Sequence, residues 1–221
     1  MKVKLISLQQ PTITTPNGQS MTAEDLVCYT ARVSAPQNQD KLDTAPKLLK
    51  YLIENKHWSP LEMVNFCVEI QTSRAIAAQV LRHRSFVFQE FSQRYSVVSD
   101  YETYPARRQD IKNRQNSIDD MPKEDQEWFA EAQMQVWNNS IDLYNKSLEK
   151  GIAKEQARFL LPLNTKTTMF MNGSLRSWVH YLQLRSGNGT QKEHADIAHA
   201  IIRDVMIPTF PNVCKAIGWS E

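Results

Sequence analysis

The chain has little of what marks a secreted, membrane-embedded or polyanion-binding protein. It holds only three cysteines, Cys28, Cys67 and Cys214, with no CxxC pair and an odd total. That count argues against a disulfide framework and against a structural zinc site, so no metal is expected. No apolar run approaches the length of a membrane span, and the amino terminus MKVKLISLQQP is broken by polar residues and proline before a secretory apolar region can form. A cytoplasmic protein without membrane contacts is expected. Neither sign of charge is in excess: 26 Lys and Arg against 24 Asp and Glu leave a formal net charge of +2. A general nucleic-acid binder carries a stronger basic surplus, so any anion site must be local. There is no internal repeat or low-complexity segment, and the 221 residues most economically make one domain, residues 1–221, around one core.

What is there reads as an α+β chain, a mostly antiparallel sheet flanked by helices. Val3–Leu8 suits a first strand, and residues 23–34 and 44–55 have helical composition on either side of a polar stretch. Val64–Ile70 alternates apolar even positions with more polar odd ones, the period of a strand with one buried face. Thr72 and Ser73 then offer a helix cap before the alanine-rich run that ends in Arg82-His83-Arg84. Residues 85–101 have no sustained helical period and predict extended or irregular backbone, and the polar stretch 106–121 predicts an exposed loop or partly solvated helix with solvent-facing charges. Pro122 opens a long helix whose Trp137, Ile141, Tyr144 and Leu148 share one face, with Gly151 as its stop. Thr190 and Glu193 have capping-box spacing before a last long helix with Ile197, Ile201, Ile202 and Val205 inward.

Functional candidates concentrate in RHRSFVFQEFSQRYS, residues 82–96, which packs three arginines, a histidine, a glutamate and hydroxyls into a short stretch. The bland account is a set of cations at a helix end, with Glu90 and Arg94 paired at the surface. That explains Arg82 or Arg84 but not the whole set. A guanidinium fork matches phosphate oxygens, a carboxylate accepts from a ribose or ring N–H, and a serine donates to phosphate, which together suit a nucleotide. Further along, Leu175, Trp178, Val179 and Leu182 form an apolar helix face, and Arg185 lies on the same line. A cation there either caps the helix end or needs a carboxylate, phosphate or carbonyls to offset its desolvation. Arg176 and His180 project from roughly the opposite side, so one helix can serve two ligand pockets. Arg158 is a lone cation beside an apolar run, and Ser59 and Glu62 have the spacing to cap and close a short turn after His57.

Arg82-His83-Arg84 followed after seven residues by Ser92, then Arg94-Tyr95, resembles the RHRx7S signature of the flavin-dependent thymidylate synthases. The resemblance extends in order through Ala31–Ser34, His57-x-Ser59-Pro60-x-Glu62, Gln79, Arg158-x-x-Leu161-Pro162, Arg176-Ser177 and Leu184-Arg185. Six short motifs in order are a far stronger signal than one. Only the stretch 106–121 and the extreme ends fall outside it.

The resemblance implies conversion of dUMP to dTMP, with methylenetetrahydrofolate as carbon donor and NADPH as reductant acting through FAD, in a homotetramer whose sites are shared between subunits. It implies that Gln79, Arg82, Glu90, Ser92, Gln93, Arg94, Arg158 and Arg185 hold dUMP, with Arg185 as the catalytic activator. Ser59, Arg82, His83, Arg84, Glu90, Ser174, Leu175, Arg176 and His180 would line FAD, and His57 and Tyr95 would lie where folate and nicotinamide reach the flavin. The apolar settings of the cysteines favour inert thiols, which agrees with a class that uses no protein nucleophile. Val87, Gln89, Gln93, Ser174 and His180 depart from the residues usual in the family, which bears more on the cofactor contacts than on the substrate contacts. From the residues alone, two other readings stay open: a nucleotide- or nucleic-acid-binding module without catalysis, and an inactive relative that binds dUMP. The near-zero net charge speaks against nucleic acid as a partner.

Overall fold

The computed structural model describes residues 1–219. Its elements are β1 (Lys2–Leu8), α1 (Ala23–Ala31), α2 (Ala45–Glu54), β2 (Asn65–Ser73), α3 (Arg74–Val80), β3 (Val87–Glu90), β4 (Arg108–Gln109), β5 (Ser117–Ile118), α4 (Lys123–Glu149), α5 (Lys154–Ala157), β6 (Lys166–Ser174), α6 (Leu175–Arg185), α7 (Lys192–Ile201), α8 (Ile207–Thr209) and α9 (Pro211–Ile217). A four-stranded sheet in the order β1-β2-β6-β3 is antiparallel at every pairing, and helices pack around it, an α+β architecture as expected.

β2 and β6 form the centre of the sheet. They pair along their whole length, from Asn65 opposite Ser174 to Ser73 opposite Lys166. The even residues Phe66, Val68, Ile70 and Thr72 of β2 are buried on one face beside Thr167, Met169, Met171 and Gly173 of β6. β6 is absent from the sequence reading. Its inward positions are methionine, threonine and glycine, which lack the β-branched apolar pattern that exposes a strand.

Each central strand runs directly into a helix, β2 into α3 and β6 into α6. Because the strands are antiparallel, the two helices leave opposite ends of the sheet. Beyond them the chain brings Arg185, the last residue of α6, against His83, just after α3. Packing fixes this arrangement. Trp178 stacks on Phe66 at 4.9 Å and meets Phe86 edge-on at 4.8 Å, and its indole donates to the Phe66 carbonyl at 3.2 Å. Such aromatic pairs add about 0.5–1.5 kcal/mol beyond the area they bury.

Other expectations are corrected in detail. The first helix stops at Ala31, short of Ser34, and begins with a reciprocal capping box between Thr22 and Asp25. The stretch 85–101, read as extended or irregular, includes the edge strand β3 in keeping with that reading, whereas the polar stretch 106–121 is a hairpin, β4 with β5. Its turn is held by the Asp110 carboxylate, which accepts from the backbone N–H of Lys112 and Asn113 and from the Asn116 amide. Thr190 and Glu193 make no capping box: Thr190 donates to the Leu184 carbonyl, and Glu193 turns to Arg107. Arg107 is therefore not solvent-facing. In the last helix Ile197, Ile201 and Val205 are buried as expected, while a π turn at Ile202–Met206 leaves Ile202 partly exposed. On α4, Trp137 and Tyr144 are buried while Ile141 and Leu148 are half-buried, and Gly151 closes the helix in the left-handed region at φ +81°.

Gly173 tests the packing. A Cβ there would lie 2.5 Å from Cδ1 of Phe86, whose ring is wedged against Trp178 and Tyr181. Gly173→Ala is expected to destabilise the fold by about 1–3 kcal/mol through overpacking. Denaturant unfolding measures this, and an unchanged midpoint would show that Phe86 moves aside freely.

Candidate active site

Ser174 caps α6 by accepting from the Ser177 N–H, and Leu175, Trp178, Val179, Tyr181 and Leu182 bury its inner face. This seating carries Arg185, on the last turn, into a part-buried position where its Nε donates to Nε2 of His83 at 2.9 Å. An accepting Nε2 requires the other ring nitrogen to carry the proton. Burial and the adjacent Arg185 charge push the His83 pKa down to about 4. Within the chain the partner of Arg185 is thus a neutral imidazole, and among the described residues no carboxylate compensates the guanidinium. Behind this pair, the Tyr181 hydroxyl meets Nε2 of fully buried His194 at 3.0 Å. His194 is also held neutral, its pKa pushed down to about 4 first by burial and then by the Arg185 charge.

His83 also lines a cavity of about 310 Å³ with Glu62, Ser85, Arg176, Ser177 and His180. Glu62, expected to close a turn after Ser59, instead pairs with Arg176, and the turn at Ser59–Met63 has no side-chain cap. His180 meets the Trp58 ring edge-on at 4.6 Å, and its pKa is lowered by burial and by Arg176. Three residues assigned to the flavin by resemblance, His83, Arg176 and His180, therefore share one cavity. The sequence reading missed Ser85 there; nothing in its local pattern distinguishes it from the other hydroxyls of the signature.

The remaining candidates fall into separate groups. Glu90 does not pair with Arg94. It accepts from Arg74 Nη1 at 2.6 Å and from the Thr167 hydroxyl at 2.8 Å. Arg94 pairs instead with Glu155 at 3.1 Å, and Arg158 donates to the Glu155 carbonyl while lying 5.5 Å from the centroid of the Phe159 ring. Lys154 donates to the Tyr95 carbonyl, so α5 gathers Arg94, Tyr95 and Arg158 on one surface. The Ser92 carbonyl accepts from the N–H groups of Tyr95 and Ser96, which sets the turn after the signature, and Gln93 is buried there. Gln79 donates to Gln191. Arg82, Arg84, Ser59 and His57 are exposed, His57 edge-on to Tyr51. The Leu175 side chain is wholly in the core and its N–H is taken by the Val64 carbonyl, so neither is open to a ligand. Among the described residues no hydrogen bond or ion pair joins the Arg185, Glu90 and Arg94 groups to one another.

Residues 18–212 match the family model described as thymidylate synthase complementing protein. The chain belongs to this family. It is 54% identical to a probable flavin-dependent thymidylate synthase of Paramecium bursaria Chlorella virus 1, covering 99% of this chain and all of that one. It is 51% identical, over 99% of this chain and all of the relative, to a flavin-dependent thymidylate synthase of Synechocystis. Its fold is that of the UMP/dUMP methylase PolB from Streptomyces cacaoi, solved with 5-Br dUMP, at a TM-score of 0.82 and 20% identity over 98% of this chain and 94% of that one. No helix of the described residues is long and apolar enough to cross a membrane.

The two histidines behind Arg185 give this family member a defined acid response. Their ordinary pKa of 6.5 is depressed to about 4 on folding, so between those values the unfolded chain binds more protons than the folded one. Stability is full above about pH 6.5 and falls as the pH drops toward 4. The melting temperature is expected to follow that course, with a shallower acid slope in His194→Gln. An unchanged slope in the variant would show that His194 does not titrate on unfolding.

Proposed function

We propose that this chain methylates dUMP to dTMP, with methylenetetrahydrofolate as carbon donor and NADPH as reductant acting through bound FAD. The observation that carries this reading is the double engagement of His83, which fixes Arg185 on one side and lines the cavity with Arg176 and His180 on the other. A site for the pyrimidine and a site for the flavin would then adjoin at one imidazole.

The donor set suits the two ligands. Arg82 and Arg84 are exposed and form no ion pair among the described residues, leaving their forks for phosphate. At about 310 Å³ the cavity is at the small end of ligand pockets, enough for part of a dinucleotide. Ser59, Arg82, His83, Arg84, Glu90, Ser174, Arg176 and His180 are the proposed flavin contacts. When bound, the flavin supplies the hydride chemistry that side chains lack. Gln79, Arg82, Glu90, Ser92, Gln93, Arg94, Arg158 and Arg185 are the proposed dUMP contacts, and His57 and Tyr95 guard the approach of folate and nicotinamide.

Arg185 is the activator. Its fixed charge against the uracil edge stabilises anionic character at N3 and polarises C5 and C6, with no proton leaving the guanidinium. A neutral His83 orients that charge without cancelling it or opposing it. Ser92 orients the nucleotide and does not attack it. Nor do the cysteines suit attack, since burial pushes the Cys28 and Cys214 thiols up to about 12 and raises Cys67.

The separation of the arginines into groups supports a site completed between subunits of a homotetramer. Arg158 lies over the ring of Phe159, which is 74% exposed, and Tyr95, tied to α5 through Lys154, is 83% exposed. Apolar side chains so exposed around a cationic cluster suit cover by a second copy.

The test is anaerobic NADPH oxidation by the FAD-reconstituted protein, with and without dUMP, followed by flavin absorbance and dTMP assay. Flavin bleaching that depends on dUMP is expected, and a bound flavin that is never reduced would mark an inactive relative. Arg185→Ala is expected to keep its flavin while dTMP formation falls by roughly a hundredfold or more. Near-normal turnover in that variant would remove Arg185 as activator.

A further inference from the structure

The β4–β5 hairpin connects to Gln79 through an unbroken chain of side chains. Arg107 donates to one oxygen of Glu193, in a pair whose side chains are only 10% and 11% exposed. The other Glu193 oxygen accepts from the Gln191 amide nitrogen at 2.9 Å. The Gln191 amide oxygen in turn accepts from the Gln79 amide nitrogen. Arg107 is tied to the hairpin by a further bond from its Nε to the Ser117 hydroxyl at 2.9 Å.

The order of donors in this chain is not free. A carboxylate engaged by a guanidinium offers only acceptors, so Gln191 must present its NH2 to Glu193 and its oxygen to Gln79. That oxygen can be met only by a donor, so Gln79 must turn its own NH2 inward. Its oxygen is the end left for a ligand. Reversing any one amide would set oxygen against oxygen or NH2 against NH2 at the next step, so the near-buried Glu193 dictates the polarity of a glutamine two links away.

We propose that Arg107, Glu193 and Gln191 are positioning residues that hold Gln79 as a hydrogen-bond acceptor for the sugar hydroxyl of the nucleotide. This rests on the reading that Gln79 lies in the dUMP site. The sugar hydroxyl and the ring N3–H are the donors dUMP carries away from its phosphate, and N3 is the position assigned to the Arg185 charge. Fixing the amide before binding removes the cost of choosing between its two orientations. It also discriminates against a ligand without the donor, which would leave the pre-set acceptor unpaired.

The experiment compares equilibrium binding of dUMP and of its analogue lacking the sugar hydroxyl, on the flavin-loaded protein. Wild type is expected to favour dUMP by roughly tenfold. Glu193→Gln, whose amide oxygen would stay on Arg107 and whose NH2 would then face Gln191, reverses the polarity of the chain and should reduce that preference to about twofold or less. Gln191→Met cuts the chain at an exposed residue without disturbing the Arg107–Glu193 pair and should do the same with an unchanged melting temperature. A retained preference in Gln191→Met, alongside its loss in Gln79→Met, would overturn the relay while leaving Gln79 in the site. A preference retained in Gln79→Met would remove Gln79 from the site and the proposal with it. Wild type that binds no dUMP would defeat the functional reading itself.

Discussion

The pairing of β2 with β6 is the constraint on which the rest depends. These two strands match residue for residue and each passes without a loop into a helix, so the register of one pair sets where α3 and α6 begin. A slip of β6 by one residue would turn Met169 and Met171 away from the core face that Phe66, Val68 and Ile70 line. It would also rotate α6, and with it the line that carries Arg185 to His83. The site geometry is therefore a consequence of sheet register, held by the Phe66, Trp178 and Phe86 cluster on the buried face.

Charge in the molecule follows burial. The pairs on exposed surfaces, such as Lys146 with Asp142, are local helix pairs of small energetic consequence. The less exposed polar groups are each compensated differently: Glu193 by Arg107, Glu90 by Arg74 and Thr167, and Glu24 by the Val213 N–H and the Asn212 amide. Arg185 stands apart because its partner is a neutral ring. A part-buried cation left without an anion is costly for a fold and useful for a site, which is the usual physical mark of a position kept for a ligand.

Much of this was legible along the chain. The alternation of Val64–Ile70, the alanine-rich run after Ser73 and the apolar face of α6 each declare their element by local period, and the signature from Arg82 to Ser92 with its companion motifs declares the family. The misses have a common cause. β6 is a strand because β2 and β3 flank it, not because its methionines and threonines demand it. The hairpin at 106–121 is held by one aspartate bonding across its own turn, a pattern that composition reads only as polarity.

The sequence by itself determined the family, the helical and strand identity of its most periodic segments and the residue types available for the chemistry, because these depend on neighbours a few positions apart. Only the tertiary structure decided which of those residues meet. His83 and Arg185 lie far apart in the chain yet share a hydrogen bond, Glu90 turns from Arg94 to Arg74, and Arg107 is drawn from a loop expected in solvent into a near-buried pair with Glu193. Those choices are made by competition among all the carboxylates and cations brought together when the sheet closes, and no window of local sequence contains the competitors.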